Sequence, residues 1–371
     1  CGRLNTMFDR RLLTHFDWFF LALVCLVAAI GMMNLYSATA SWSSGGTPVY
    51  IKQMYWFALG IVIALTVCMF DYRHLEYMGF FFYGANVLLL IGVLLFGKTS
   101  MGATRWLDLG FFNLQPSEVM KIVIIITLAC HFSRKGHAFG HNFRELVPPF
   151  SLLAIPVLLI MKQPDLGTSM MVVFIGLTVA LFAGIQRLTL IGLTVLGILG
   201  AGGGWFLLHD YQRERVYTFL NPERDPLGSG YHIIQSKIAV GSGGFWGKGF
   251  MKGTQSQLSF LPERHTDFAF SVFAEEWGFV GSLGLLALYL LIIIWGLYIA
   301  RRAADKFGMF LALGVVAMLF WHMVVNLGMV IGLLPVVGVP LPLFSYGGTS
   351  MVTSMIGTGL LLNVSMRRFK F

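Results

Sequence analysis

The chain has 371 residues, of which 57% are hydrophobic and only 12% charged. Soluble domains carry about 25% charged residues, so the composition excludes a soluble globular protein and points to a helical membrane protein. The net charge of +9 would suggest nucleic acid in a soluble chain. Among apolar spans it reads as basic residues gathered on one membrane face, and no nucleic-acid partner is expected.

Residues 1–6 precede Met7 and are expected to be a cloning scar, leaving 7–371 as a single integral membrane domain. Apolar runs near the roughly 20 residues that cross a bilayer predict ten spans. They lie at about 16–37, 53–70, 74–96, 117–133, 147–162, 169–184, 188–208, 268–300, 308–333 and 349–366. The expected fold class is therefore all-α and polytopic. Lysine and arginine set the orientation. One set of short connectors and ends carries Arg3, Arg10, Arg11, Arg73, Arg134, Lys135, Arg144, Arg187, Arg301, Arg302, Lys306, Arg367, Arg368 and Lys370. The opposite short connectors hold Lys52, Lys98, Arg105 and Lys162. This bias predicts both termini in the cytoplasm and a large extracytoplasmic loop, 209–266, between the seventh and eighth spans.

The eighth run would extend about 50 Å as one helix, longer than a hydrocarbon core. Either its start projects above the membrane or it breaks near Gly278 and Gly281. Glu275 and Glu276 in its first part are expected to face the protein interior or water.

The motif-rich connectors all fall on the outer side. Arg105 beside Trp106 could bind a phosphate, while Trp106 reads most simply as an interfacial anchor. In Gln115-Pro-Ser-Glu-Val-Met-Lys121, Ser117 is a candidate N-cap, and Glu118 and Lys121 share a helix face at i,i+3. A lysine inside a span is costly, so this pair is expected to line a polar cavity. Asp165 in Gln163-Pro-Asp-Leu-Gly-Thr168 reads equally as a helix cap or a site residue. The long loop carries Arg213 and Arg215, an amphipathic Tyr231–Ala239 expected to lie on the membrane, and Lys248 and Lys252 among glycines. Those glycines lack a strand–turn–helix context and no Walker A lysine motif occurs, so nucleotide-driven work is not expected.

Glu263-Arg-His-Thr-Asp267 then stands where the chain enters the eighth span. An ionisable group there is a functional candidate, and Asp267 is singled out. It could equally cap the following helix, and the two roles can coexist.

These stretches, with Asn221-Pro-Glu-Arg-Asp-Pro-Leu-Gly-Ser-Gly-Tyr-His and Pro340-Leu-Pro-Leu-Phe-Ser-Tyr-Gly-Gly348, resemble the SEDS family (shape, elongation, division and sporulation). The similarity is collinear along essentially the whole chain, and Arg264 is similar to the elongation branch, RodA, rather than the division branch, FtsW. The resemblance implies a peptidoglycan glycosyltransferase of the bacterial cytoplasmic membrane that polymerises lipid II at the outer face during cell elongation. It implies as partners lipid II, the growing lipid-linked glycan strand, a class B penicillin-binding protein and other membrane proteins of the elongation complex.

The implied chemistry needs a base for a sugar hydroxyl and cations for a departing polyprenyl pyrophosphate. Asp267 is the candidate catalytic base, or a ligand for a divalent cation, Mg or Mn. Arg105, Lys121, Arg213, Arg215 and Lys248 are candidates for the pyrophosphates, with Glu118, Asp165, Glu263, His265, Thr266 and Ser345 as further substrate-binding candidates. Two rival readings are a lipid II flippase and a non-catalytic scaffold of the elongation complex. The outer clustering of charged motifs disfavours the first, and the expense of Asp267 and Lys121 the second.

Overall fold

The computed structural model describes residues 15–40, 47–100, 103–108, 113–134, 140–204, 210–224, 228–258, 260–261 and 263–368. The expected scar, residues 1–6, lies outside them. The membrane helices are α1 (Trp18–Thr39), α2 (Val49–Met69), α3 (Arg73–Phe96), α4 (Pro116–Arg134), α5 (Phe143–Lys162), α6 (Leu166–Ala183) and α7 (Arg187–Gly204), then α11 (Ala269–Arg301), α12 (Lys306–Val330) and α13 (Gly348–Met366). Between α7 and α11 the long loop folds into α8 (Asp210–Leu220), α9 (Ser229–Ser242) and the short α10 (Thr254–Gln257). The expected all-α chain gains one small addition. The connector after α3 forms a three-stranded antiparallel sheet of β1 (Lys98–Ser100), β2 (Ala103–Asp108) and β3 (Asn113–Leu114).

Among the described residues, eight helices are long and apolar enough to cross a membrane. The two expected spans outside that set are α7, whose described apolar run is the shorter Arg187–Gly200, and α13, which is more polar in composition. Helix α7 ends in the glycines Gly202, Gly203 and Gly204, and its long apolar side chains Leu188, Ile198 and Leu199 are exposed, as suits a lipid-facing helix. Helix α13 is rich in Gly, Ser and Thr and is almost wholly buried. A helix sheltered by its neighbours can carry polar groups that lipid would reject. Its Thr358 hydroxyl donates to the Ser354 carbonyl at 3.0 Å, and its Asn363 amide holds the Val67 and Phe70 carbonyls at 2.6 and 2.7 Å.

The centre of the bundle is α4 and α12. Their most apolar windows are 83% and 78% buried, against 22% for α2 at the rim. Around them the two ends of the bundle differ in chemistry. At one end, ion pairs join the turns: Arg73 with Asp305 at 3.2 Å, Arg134 with Glu76 at 3.7 Å, and Arg367 with Asp71 at 3.7 Å. The other end gathers the motif-bearing connectors.

Helix α11 resolves the problem of its length by breaking at Gly278, where φ is 65° and ψ −161°. The break frees backbone groups inside the protein, and the loop after α9 takes them up. The Lys248 and Gly249 amides donate to the Glu275 and Glu276 carbonyls, each at 3.0 Å. The Phe279 and Val280 amides donate to the Gly244 and Phe245 carbonyls at 2.9 and 3.2 Å. Helix α9 packs on α11 through this region, so the amphipathic segment rests on protein, with Ile233 and Ala239 buried. Only glycine occupies such a backbone conformation without strain, and a Cβ at 278 would stand 2.3 Å from the Gly247 nitrogen. Gly278→Ala should therefore lower stability by about 1–3 kcal/mol, read as an earlier thermal unfolding transition in detergent. An unchanged transition would mean that the bend is not built as described.

Candidate active site

The segment 263–268 is a tight turn that delivers the chain into α11. The Glu263 carbonyl accepts from the Thr266 and Phe268 amides at 3.1 and 3.3 Å, and the Thr266 hydroxyl donates to the Glu263 carboxylate at 3.1 Å. Glu263 has φ of 48°, a left-handed conformation that costs energy in a residue with a side chain and is found disproportionately at functional sites. The capping position of α11 is occupied by Phe268, with no side-chain cap bond. This corrects the cap reading of Asp267, because the helix begins one residue too late for it.

Asp267 instead lines a cavity of about 200 Å³ with Arg215, Thr218, His232, Ile233, Glu263, Phe268 and Val336. The backbone of 331–347 closes against its carboxylate at Gly338, where φ is 72° and a Cβ would stand 3.4 Å from Oδ2. Burial pushes the Asp267 carboxyl up to about 6, and the charge of Glu263 adds to this, while Arg215 and Arg105 pull it down. Burial lowers the His265 imidazole, a direction opposed by Glu263 and reinforced by Arg264. The His265 carbonyl accepts from the Tyr346 amide at 2.8 Å, which ties the turn to the segment before α13.

Of the other sequence candidates, Arg215 and Glu263 line this cavity, and the rest are not among its described lining residues. Arg215 donates to the Val336 carbonyl at 3.1 Å, joining α8 to the 331–347 wall. Arg105 on β2 donates to the Pro164 carbonyl. Arg213 sits half-buried on α8 and is not among the described residues that line the cavity. Asp165 caps α6, accepting from the Thr168 amide at 3.2 Å and the Thr168 hydroxyl at 2.9 Å. It also accepts from Gln115 at 3.1 Å and from the Ser117 hydroxyl at 3.4 Å, so it fastens the start of α4 to α6. Ser345 is buried, and its hydroxyl accepts from the Leu341 amide at 3.1 Å, pinning a turn. Lys248 is committed to Glu275 at 2.7 Å, where the loop meets the α11 bend.

Glu118 and Lys121 form a buried pair at 2.7 Å, and a third residue joins them. The Lys121 ammonium lies 2.8 Å from His322 Nε2, while His322 Nδ1 lies 2.7 Å from the Met318 carbonyl. That carbonyl can only accept, so the Nδ1 proton is assigned to it and Nε2 is left to accept from Lys121. One helical turn further along α12, the Asn326 amide donates to the Asp267 carbonyl at 2.9 Å and to the Val339 carbonyl at 2.8 Å. His322, Asn326 and His232 were not singled out from the sequence. For the first two the available signal was a pair of polar residues, i and i+4, inside the apolar run 308–333.

Among the described residues no group of three or more His, Cys, Asp or Glu is placed to hold a metal ion. Asp267 and Glu263 are the two carboxylates that line the cavity, which suits a hard cation that keeps most of its coordination as water or phosphate oxygen. The arrangement offers a carboxylate able to take a proton near neutral pH, next to a guanidinium able to meet an anion.

A family profile described as "Cell cycle protein", FTSW_RODA_SPOVE, matches residues 17–370. The peptidoglycan glycosyltransferase MrdB of Escherichia coli (strain K12) is 45% identical over 337 residues, covering 90% of each chain. The peptidoglycan glycosyltransferase RodA of Treponema pallidum (strain Nichols) is 33% identical, with 96% of this chain and 98% of that one covered. Among solved structures, a chain from "Structural coordination of polymerization and crosslinking by a peptidoglycan synthase complex" superposes with a TM-score of 0.80 at 36% identity. It covers 96% of this chain and 99% of that one. The rod shape determining protein RodA of Thermus thermophilus superposes with a TM-score of 0.70 at 31% identity, covering 96% and 98%.

Proposed function

The chain belongs to the FtsW/RodA/SpoVE family, and from that premise we propose that it is a peptidoglycan glycosyltransferase polymerising lipid II during cell elongation. The observation that carries the proposal to particular atoms is the cavity that holds Asp267, Glu263 and Arg215 together. The acceptor sugar hydroxyl gives its proton to the Asp267 carboxylate as its oxygen bonds to the anomeric carbon of the donor. The bond from that carbon to polyprenyl pyrophosphate breaks, and the charge that develops on the leaving group is met by Arg215, with Arg105 nearby. Glu263 helps to keep Asp267 basic enough to accept the proton. In the alternative role, Asp267 with Glu263 would hold a divalent cation, Mg or Mn, which would supply positive charge to the pyrophosphate.

The protein is an integral membrane protein with multiple apolar helices. The proposed orientation places the cavity outside the cytoplasmic membrane, because the ion-paired end carries Arg73, Arg134, Arg301, Arg302 and Arg367. A class B penicillin-binding protein that crosslinks the new strand is the proposed partner, in keeping with the synthase complex whose chain superposes on this one. A flippase would need passage through both ends, and the ion pairs Arg73–Asp305 and Arg367–Asp71 tie one end together, which favours the polymerase.

The test is polymerisation of lipid II by the purified protein with its transpeptidase partner, followed from about pH 5 to 8. Because the base must be ionised, activity should rise with pH through the Asp267 pKa of about 6. Below it the rate should fall about tenfold per pH unit. An acid limb near the ordinary carboxylate value of about 4 would remove Asp267 from the role of base.

A further inference from the structure

We propose that Asn326 is a positioning residue for glycan polymerisation: its one amide group holds Asp267 and the 331–347 wall at a fixed separation. The inference rests on the proposed role of Asp267 as the base. Both amide hydrogens of Asn326 are used, one on the Asp267 carbonyl at 2.9 Å and one on the Val339 carbonyl at 2.8 Å. The side chain is fully buried. Its orientation is fixed by its partners, since a flipped amide would place an oxygen against two carbonyl oxygens. The arrangement leaves Asn326 Oδ1 buried with no hydrogen-bond partner among the described residues. Such an orphan costs free energy, and the amide keeps it to retain its two donors.

The two segments it joins are the two sides of the site. Asp267 ends the turn that carries Glu263, and Val339 adjoins Gly338, whose backbone lies against the Asp267 carboxylate. Val336, further back on the same segment, lines the cavity and receives Arg215. The Tyr346 amide bonds the turn at the His265 carbonyl, and the Asn326 amide is the described link that reaches Asp267 itself and sets it against Val339. Asn326 in turn is set by α12, which is anchored one turn earlier by His322 against Lys121 of α4. Displacing a reacting group by about 1 Å can cost a hundredfold in rate without altering how substrate binds elsewhere.

The experiment uses the full-length protein with its transpeptidase partner and lipid II, and compares wild type with Asn326→Leu and Asn326→Ala. Leucine has nearly the shape of asparagine and no donor, and it suits a membrane helix. The expected result is a folded protein whose kcat for glycan synthesis falls roughly tenfold to a hundredfold, with KM for lipid II within about twofold of wild type. A loss of folded protein would also lower the apparent kcat with KM unchanged, so kcat is taken per folded enzyme, counted from the monodisperse fraction in detergent and its thermal transition. Three outcomes overturn the proposal: an unchanged kcat in both variants, a raised KM with kcat intact, or failure of both variants to fold, which would assign Asn326 to stability. A wild-type protein that makes no glycan fails the polymerase reading itself. An active wild type with equally active variants fails only the role of Asn326.

Discussion

Asp267→Asn should abolish glycan synthesis and leave the fold intact. The Asp267 side chain caps no helix, and the bond that Asn326 makes is to its backbone carbonyl, which asparagine retains. The change therefore removes a carboxylate and little else. A general base contributes about a hundredfold to ten-thousandfold in rate, and asparagine cannot take up a proton in that way. The effect on stability has a definite sign. A carboxyl raised to about 6 binds its proton more tightly in the folded state than in the unfolded chain, so it opposes folding increasingly as pH rises through that value. At neutral pH the neutral amide relieves that opposition, and the melting temperature should stay level or rise. Glycan synthesis by the purified variant at a near-normal rate would pass the role of base to Glu263, the other carboxylate among the described residues lining the cavity.

Lys121→Met should be the most destabilising of the substitutions considered. Lysine at this position touches both Glu118 and His322, and all three are buried. Methionine fills the stem of the lysine and leaves the Glu118 carboxylate without its countercharge. Removing one partner of a buried ion pair costs about 3–5 kcal/mol, because the other charge is stranded. The double change Glu118→Gln with Lys121→Met removes both charges and should restore most of the thermal stability while leaving polymerisation impaired. Recovery of both properties in the double variant would make the trio a structural brace alone.

Much of this architecture is legible in the sequence because its causes are local. Apolar runs announce the spans, and the excessive length of the eighth, with a glycine at 278, announces its break. Helix α13 lies within a predicted span, yet its burial is not legible, since Ser, Thr and Gly suit a sheltered helix as readily as a loop. The small sheet was missed because its strands are two to six residues long, too short for a period to show. At the site, Asp267 and Glu263 stand out as charges at the mouth of a span, a signal that sequence position alone supplies. The roles of His322 and Asn326 depend on contacts across 201 and 59 residues of chain, and only the packing of α12 brings those partners together. Asp267 and Asp165 show the same limit from the other side. Each is an acidic residue just before a helix, and only the structure shows that Asp165 caps and Asp267 does not.

The bend in α11 has a consequence for the order in which this protein can assemble. The part of the helix before Gly278, which begins just beyond Asp267, cannot hold its angle by itself, because a continuous helix would satisfy the same backbone groups at lower cost. What keeps it bent is the stretch 244–249, which lends its own amides and carbonyls as though it were the missing turn. That stretch leaves the ribosome before α11 does, so it must wait, unsatisfied, until the helix arrives. The angle at which Asp267 faces its cavity is thus settled late, when an earlier piece of chain closes onto a later one. Agents that trap the loop before that moment should yield a protein that is inserted, helical and inert.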